Sequence, residues 1–172
     1  MKIHAFREDI SWEQAFESVA FTVDALSTHP TDHDLVRLAG RVASLLTDWE
    51  AIHADGRRLR RAVVFSTARA RVADATLDGA IGAFAADLLA IVNNDTSSEL
   101  YKRFFTEPHE DIIAMGLDSE VPIVTLIVSA LGQNSETPEA LKKHHVALLD
   151  GLRLGNSALA SRSDALADLG RH

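Results

Sequence analysis

Apolar residues recur at steps of three and four along most of this chain, which is the spacing of an α-helix that buries one face. A first helix is predicted over residues 11–27, because Ser11 and Gln14 fit a capping box at its start and Pro30 follows its end. Its apolar stripe consists of Trp12, Phe16, Val19, Val23 and Leu26.

A second helix is predicted to begin near Thr31 or Asp32. Its apolar residues again alternate steps of three and four, the spacing of a coiled-coil or bundle seam. They are Leu35, Leu38, Val42, Leu45, Trp49 and Ile52. No proline lies between Pro30 and Pro108, so helical structure can continue well beyond this seam.

One uninterrupted helix as far as Asn93 would have about 60 residues and span roughly 90 Å. A compact domain of this length is only roughly 30–50 Å across. We therefore expect a reversal or a sharp kink at Asp55-Gly56, a pair that favours turns, with Asp78-Gly79 as a second candidate break.

The same signals divide the rest of the chain into a helical stretch, a loop, three short helices and a final long helix. In order, these are residues 57–92, 93–98, 98–106, 108–116, 121–131 and 137 to the C-terminus. Residues 121–131 are β-branched and could form a strand, but a lone strand has no pairing partner, so a buried helix is favoured. In the final helix, Gly151 and Gly155 either let a neighbour approach closely or end the helix.

These elements predict an all-α fold: a helical bundle of about four long helices, with two or three short helices in the middle section, in a single domain over residues 1–172. Apolar content of 47% with 24% charged residues argues against disorder. The absence of cysteine excludes a disulfide scaffold and any thiolate site. Charges near the N-terminus and the lack of an apolar run of about 20 residues favour a soluble, cytoplasmic protein with no membrane contact.

The formal net charge of −8 disfavours nucleic acid as a partner, yet residues 56–73 carry arginine and no acid. The six arginines are Arg57, Arg58, Arg60, Arg61, Arg69 and Arg71. Like charges one helical turn apart repel, so an acidic group should lie nearby. We expect either internal partners or a docking face for an acidic protein, an anion or another copy of this chain. The internal candidates are Glu13, Glu17, Asp24, Asp48 and Glu50.

Two histidine-bearing segments offer metal-ligand types. Glu50 and His53 have Glu-x-x-His spacing, but the second such motif that a di-metal bundle requires is missing. His29 and His33 flank the start of the second helix, where capping explains the polar residues without a metal. We predict no cofactor and no catalytic residue, and these four side chains are the candidates if a metal binds.

No serine lies in a nucleophile elbow, and no glycine-rich phosphate loop is present. The sequence therefore favours a non-enzymatic module for protein–protein interaction or self-assembly, either with a protein partner or as a homo-oligomer. The alternative is a small helical metal-binding protein or enzyme that uses histidine and carboxylate clusters. Tyr101, Arg103 and His109 are the polar groups to inspect for a pocket in the middle section.

Overall fold

A computed structural model describes residues 11–133 and 137–172, and these residues form an all-α fold without a strand. The helices are α1 (Trp12–Ser27), α2 (His33–Ile91), α3 (Glu99–Phe104), α4 (His109–Ile113), α5 (Leu117–Gln133), α6 (Glu139–Lys142) and α7 (His144–Arg171). The all-α prediction is confirmed. Over these residues, no helix combines the length and the apolar character that crossing a membrane would require.

The start of α1 is the capping box that the sequence predicts. The Ser11 hydroxyl accepts the backbone N–H of Gln14 at 3.3 Å, and the Gln14 side chain accepts the backbone N–H of Ser11 at 3.2 Å. These two bonds satisfy donors that the first turn of a helix otherwise leaves open.

The reversal expected at Asp55-Gly56 and the break considered at Asp78-Gly79 are wrong, because α2 continues through both pairs. Asp55 accepts a hydrogen bond from Arg58 at 2.8 Å, one turn further along the same helix, instead of starting a new one. A helical glycine costs only about 1 kcal/mol relative to alanine, too little to stop a helix with strong formers on both sides. The chain turns instead where the sequence predicts a loop, at Asn93 and Asn94, whose φ angles are 51° and 61°.

The β-branched segment is helical, as predicted, and it begins earlier than expected, at Leu117 in α5. Gly116 precedes it with a φ of 80°, a left-handed conformation that glycine adopts without strain. The C-terminal region is two helices and not one, because α6 ends at Lys142 and α7 begins at His144.

The glycines of α7 allow close packing and do not end the helix. A Cβ atom at Gly151 would lie 2.9 Å from Cδ1 of Leu77 in α2, and one at Gly155 would lie 3.1 Å from Cδ1 of Leu117 in α5. Only a residue without a side chain allows helices to approach so closely.

The chain forms two compact units, Met1–Arg58 and Leu59–His172, with the boundary inside α2. In the first unit, α1 packs on the beginning of α2 through rings. Phe16 and Trp49 meet edge to face with centroids 6.3 Å apart, and Trp12 stacks on His53 at 3.7 Å.

The second unit contains the main hydrophobic core, formed by α2, α5, α7 and the short helices. Phe84 of α2 lies at its centre and contacts the rings of Phe104 and Phe105. Its other fully buried residues include Leu77, Ile81, Leu88, Ile112, Val124, Ile127, Leu141 and Leu148.

Replacing Gly151 by valine is expected to lower the free energy of unfolding by about 1–3 kcal/mol, because the new side chain overlaps the fully buried Leu77. Chemical denaturation followed by circular dichroism measures the change. The matched control is Gly79→Ala, where an added Cβ meets nothing within 4 Å. That variant should gain about 0.5–1 kcal/mol. Equal effects at the two glycines would contradict the close-packing role of Gly151.

Candidate functional site

Three carboxylates converge in the second unit. Asp74 and Asp78 are four residues apart in α2 and therefore share a helix face. Glu120, in the first turns of α5, faces them. One oxygen from each of the three side chains lies within 4.8 Å of the other two. Helix packing thus brings Glu120 next to two acids that lie more than 40 residues earlier in the sequence.

Glu120 is the buried member of the cluster, and Asp74 and Asp78 are half-buried. Glu120 has 0% of its surface exposed, and neither of its carboxylate oxygens has a partner. One buried oxygen of Asp74 and one of Asp78 also lack a partner. An ionised carboxylate that is buried without a donor or a counterion is strongly unfavourable. The arrangement therefore requires a proton or a cation among these oxygens.

The described side chains around Glu120 do not supply the positive charge that it needs. Gly155 of α7 lies against Leu117 and Val121, which flank Glu120 in α5. Arg162, also on α7, already pairs with Asp118 at 2.7 Å. The charges that act on Glu120 itself are those of Asp78 and Asp74, and both are acidic.

Burial, above all, and the neighbouring carboxyl groups of Asp78 and Asp74 raise the pKa of Glu120 to about 8. Burial also raises the pKa of Asp78, and the adjacent Glu120 side chain opposes that change. Near neutral pH without a cation, Glu120 therefore retains its proton. The cluster can act chemically in two ways: it stores that proton or exchanges it for a cation.

Sequence reasoning missed all three of these residues. The available signal was the position of Asp74 and Asp78, which lie beside Ala73 and Leu77 at the edge of the buried stripe of α2. Acids at the edge of a buried stripe are commonly solvated. Only the packing of α5 on this face shows that one oxygen of each aspartate is buried.

The histidine-bearing candidates do not converge. His53 stacks on Trp12, the Glu50 side chain is exposed, and a ring nitrogen of His29 lies 2.9 Å from the Thr28 hydroxyl. His33 is exposed at the start of α2. Among the described residues, only the three carboxylates above form a group of three possible metal ligands.

The arginine block lies along α2, and its arginines are exposed. Arg58 pairs with Asp55 at 2.8 Å, and Arg60 also has an interaction within the chain. Over residues 11–133 and 137–172, no ion pair involves the other four, Arg57, Arg61, Arg69 and Arg71. Their role in partner binding stays a prediction.

In the middle section, Tyr101 and His109 meet, with the phenol oxygen 3.4 Å from Nδ1 of His109. Tyr101 is buried with Phe104 and Phe105, so the aromatic cluster fills the core. Arg103 is exposed. These groups form a packed junction between α3 and α4.

The predicted seam of α2 is only half covered within the first unit. Leu35, Val42 and Trp49 are half-buried on the side that α1 packs against. The alternate row is exposed: Leu38 by 44%, Leu45 by 66% and Ile52 by 59%. A heptad seam normally buries both rows, so the second row lacks a neighbour among the described residues.

Comparison with protein families, curated proteins and solved structures finds no match to this chain.

The metal-free protein is expected to lose stability as pH rises from about 5 to 8. Glu120 keeps its proton in the folded state up to a pKa of about 8 but loses it near 4.5 when unfolded, so the folded state binds the extra proton across this range. The loss is on the order of a few kcal/mol, since one pKa unit corresponds to about 1.4 kcal/mol. Denaturation with a chelator present measures it.

The control for this pH series is Glu120→Gln, which keeps the volume of the side chain and removes its titration. Its free energy of unfolding should vary less with pH over the same range. A pH profile identical to that of the unaltered protein would contradict the assignment of the proton to Glu120.

Proposed function

We propose that this chain is a self-assembly protein, in which two copies associate through the exposed row of α2. The observation that carries the proposal is the exposure of Leu38, Leu45 and Ile52, each seven residues from the next. Residues at this spacing lie on one helix face, where each can pack between side chains of a second helix. No enzymatic step is part of the proposal.

A second copy fits this row because α1 and the beginning of α2, the described part of the first unit, leave it exposed. Two packed helices bury only the residues along their line of contact. The hairpin of α1 and the beginning of α2 therefore leaves the apolar side chains beside that line exposed. Completely burying one Leu or Ile side chain is worth about 1.5–3 kcal/mol. Two hairpins together would make a four-helix bundle, in which both rows of the seam are enclosed.

The charges beside the row favour an antiparallel arrangement. In a register centred on Leu45, Leu38 of one copy lies opposite Ile52 of the other. Arg41 of each copy then lies close to Asp48 of the second copy, on the same edge of the row. Opposite charges at such flanking positions set the register and orientation of paired helices. The two contacts are equivalent, as a two-fold axis requires.

Some predictions from the sequence remain beside this proposal. The arginine block stays a candidate surface for an acidic protein partner, and a cytoplasmic location stays an expectation. The exposed heptad row supports a second copy as the occupant, because its residues match the seam spacing and not merely an apolar composition.

The proposal predicts a dimer that dissociates on dilution and is weakened by Leu45→Gln. Glutamine has nearly the helix propensity of leucine, so the substitution changes the surface more than the helix. Analytical ultracentrifugation over a concentration series should show at least about a tenfold loss of dimer affinity, which corresponds to about 1.4 kcal/mol. The matched control is Leu126→Gln, an equally exposed leucine in α5, which should leave the affinity unchanged.

Charge reversal tests the register independently. Arg41→Glu should weaken the dimer, and adding Asp48→Arg should restore it, because the pair then has the opposite order of signs. A monomer at every concentration, or equal effects of the two leucine substitutions, would overturn self-assembly through this row. Failure of the double variant to recover would overturn only the antiparallel register.

A further inference from the structure

We propose that Asp74, Asp78 and Glu120 form a binding site for a hard divalent cation, of the Mg²⁺, Mn²⁺ or Ca²⁺ class, between α2 and α5. This site is independent of self-assembly, since it lies wholly within the second unit.

The donor set selects the class of ion. The three side chains present carboxylate oxygens only, and no histidine belongs to the group. Oxygen-only sites suit hard cations, whereas zinc and copper sites usually include nitrogen or sulfur donors. Once a cation displaces the proton of Glu120, the carboxylates of the cluster compensate the charge of a divalent ion.

The spacing of the oxygens fits coordination by one ion. Ligands on opposite sides of a cation lie at twice the metal–oxygen distance, which is about 4.2 Å for Mg²⁺ and about 4.8 Å for Ca²⁺. Neighbouring ligands lie closer, at about 3 Å for an octahedral Mg²⁺. The mutual separations in this cluster, all within 4.8 Å, do not exceed that range. The three oxygens are therefore close enough to contact one cation together.

Glu120 distinguishes this cluster from an ordinary acidic patch. Its side chain is fully buried and directed at the two aspartates, and both of its oxygens lack partners. A solvated acid would have water for these oxygens, and an acid with a structural role would have a donor. A cation supplies partners for Glu120 and both aspartates at once.

The alternative occupant is a proton shared among the three groups, with no metal. The two differ in a measurable way, because a shared proton gives no saturable binding of Mg²⁺, Mn²⁺ or Ca²⁺. They also differ in consequence, since a bound ion links α2 to α5 at the point where α7 packs closely on both helices.

The test is isothermal titration of MnCl₂, MgCl₂ and CaCl₂ separately into the chelator-treated full chain at pH 7.5. The expected result is one ion bound per chain for at least one of the three, with micromolar affinity. Saturating that ion should raise the melting temperature by roughly 5–10 °C, as binding to the folded state alone requires. Glu120→Gln should weaken binding at least about tenfold and abolish the thermal shift.

Two further variants keep the result interpretable. Asp78→Asn should also weaken binding, whereas Asp164→Asn, which removes an exposed acid of α7, should not. Circular dichroism verifies that each variant is folded before titration. Absence of saturable binding up to millimolar concentration, or equal affinity in the unaltered protein and Glu120→Gln, would overturn the site. The dimer affinity measured in the same samples distinguishes this failure from failure of self-assembly.

Discussion

The structure depends on how far neighbouring helices cover the apolar stripe of a single helix of 59 residues. In the second unit, α5, α7 and the short helices cover that stripe from several sides, so Leu77, Ile81 and Phe84 are fully buried. Among the described residues of the first unit, α1 packs against one row of the seam, and the other row is exposed. The difference between a closed core and an open row follows from how many helices pack against α2.

The same close packing explains how Glu120 comes to be buried against two half-buried aspartates. The glycines of α7 allow it to approach Leu77 on one side and Leu117 on the other. Glu120 lies near the apolar Leu117 and Val121 in α5, and it faces Asp74 and Asp78 of α2. A well-packed apolar residue there would be more stable than an unpaired carboxylate. Three acids at one point of an otherwise apolar junction are consistent with a role in binding rather than in stability.

Local signals in the sequence account for the helix ends, because each depends on residues within one turn. Ser11 with Gln14, the Asn93-Asn94 turn and Gly116 are of this kind. The reversal expected at Asp55-Gly56 was wrong because the turn preference of that pair is too weak to end a helix. The carboxylate cluster could not be predicted either, since it depends on which turn of α5 meets Asp74 and Asp78. Likewise, the spacing of apolar residues identified the seam of α2. It did not show which of the two rows of the seam α1 would cover.

Net charge bears on how two copies could associate. Each chain carries a formal charge of −8, so two copies repel at long range, and association must come from short-range apolar contact. Salt screens such repulsion and therefore favours a dimer formed through Leu38, Leu45 and Ile52. A dimer held by the arginine block against acidic surfaces would respond in the opposite way, because salt screens attraction too. The sign of the salt dependence thus separates the two surfaces of α2, even though both lie on one continuous helix.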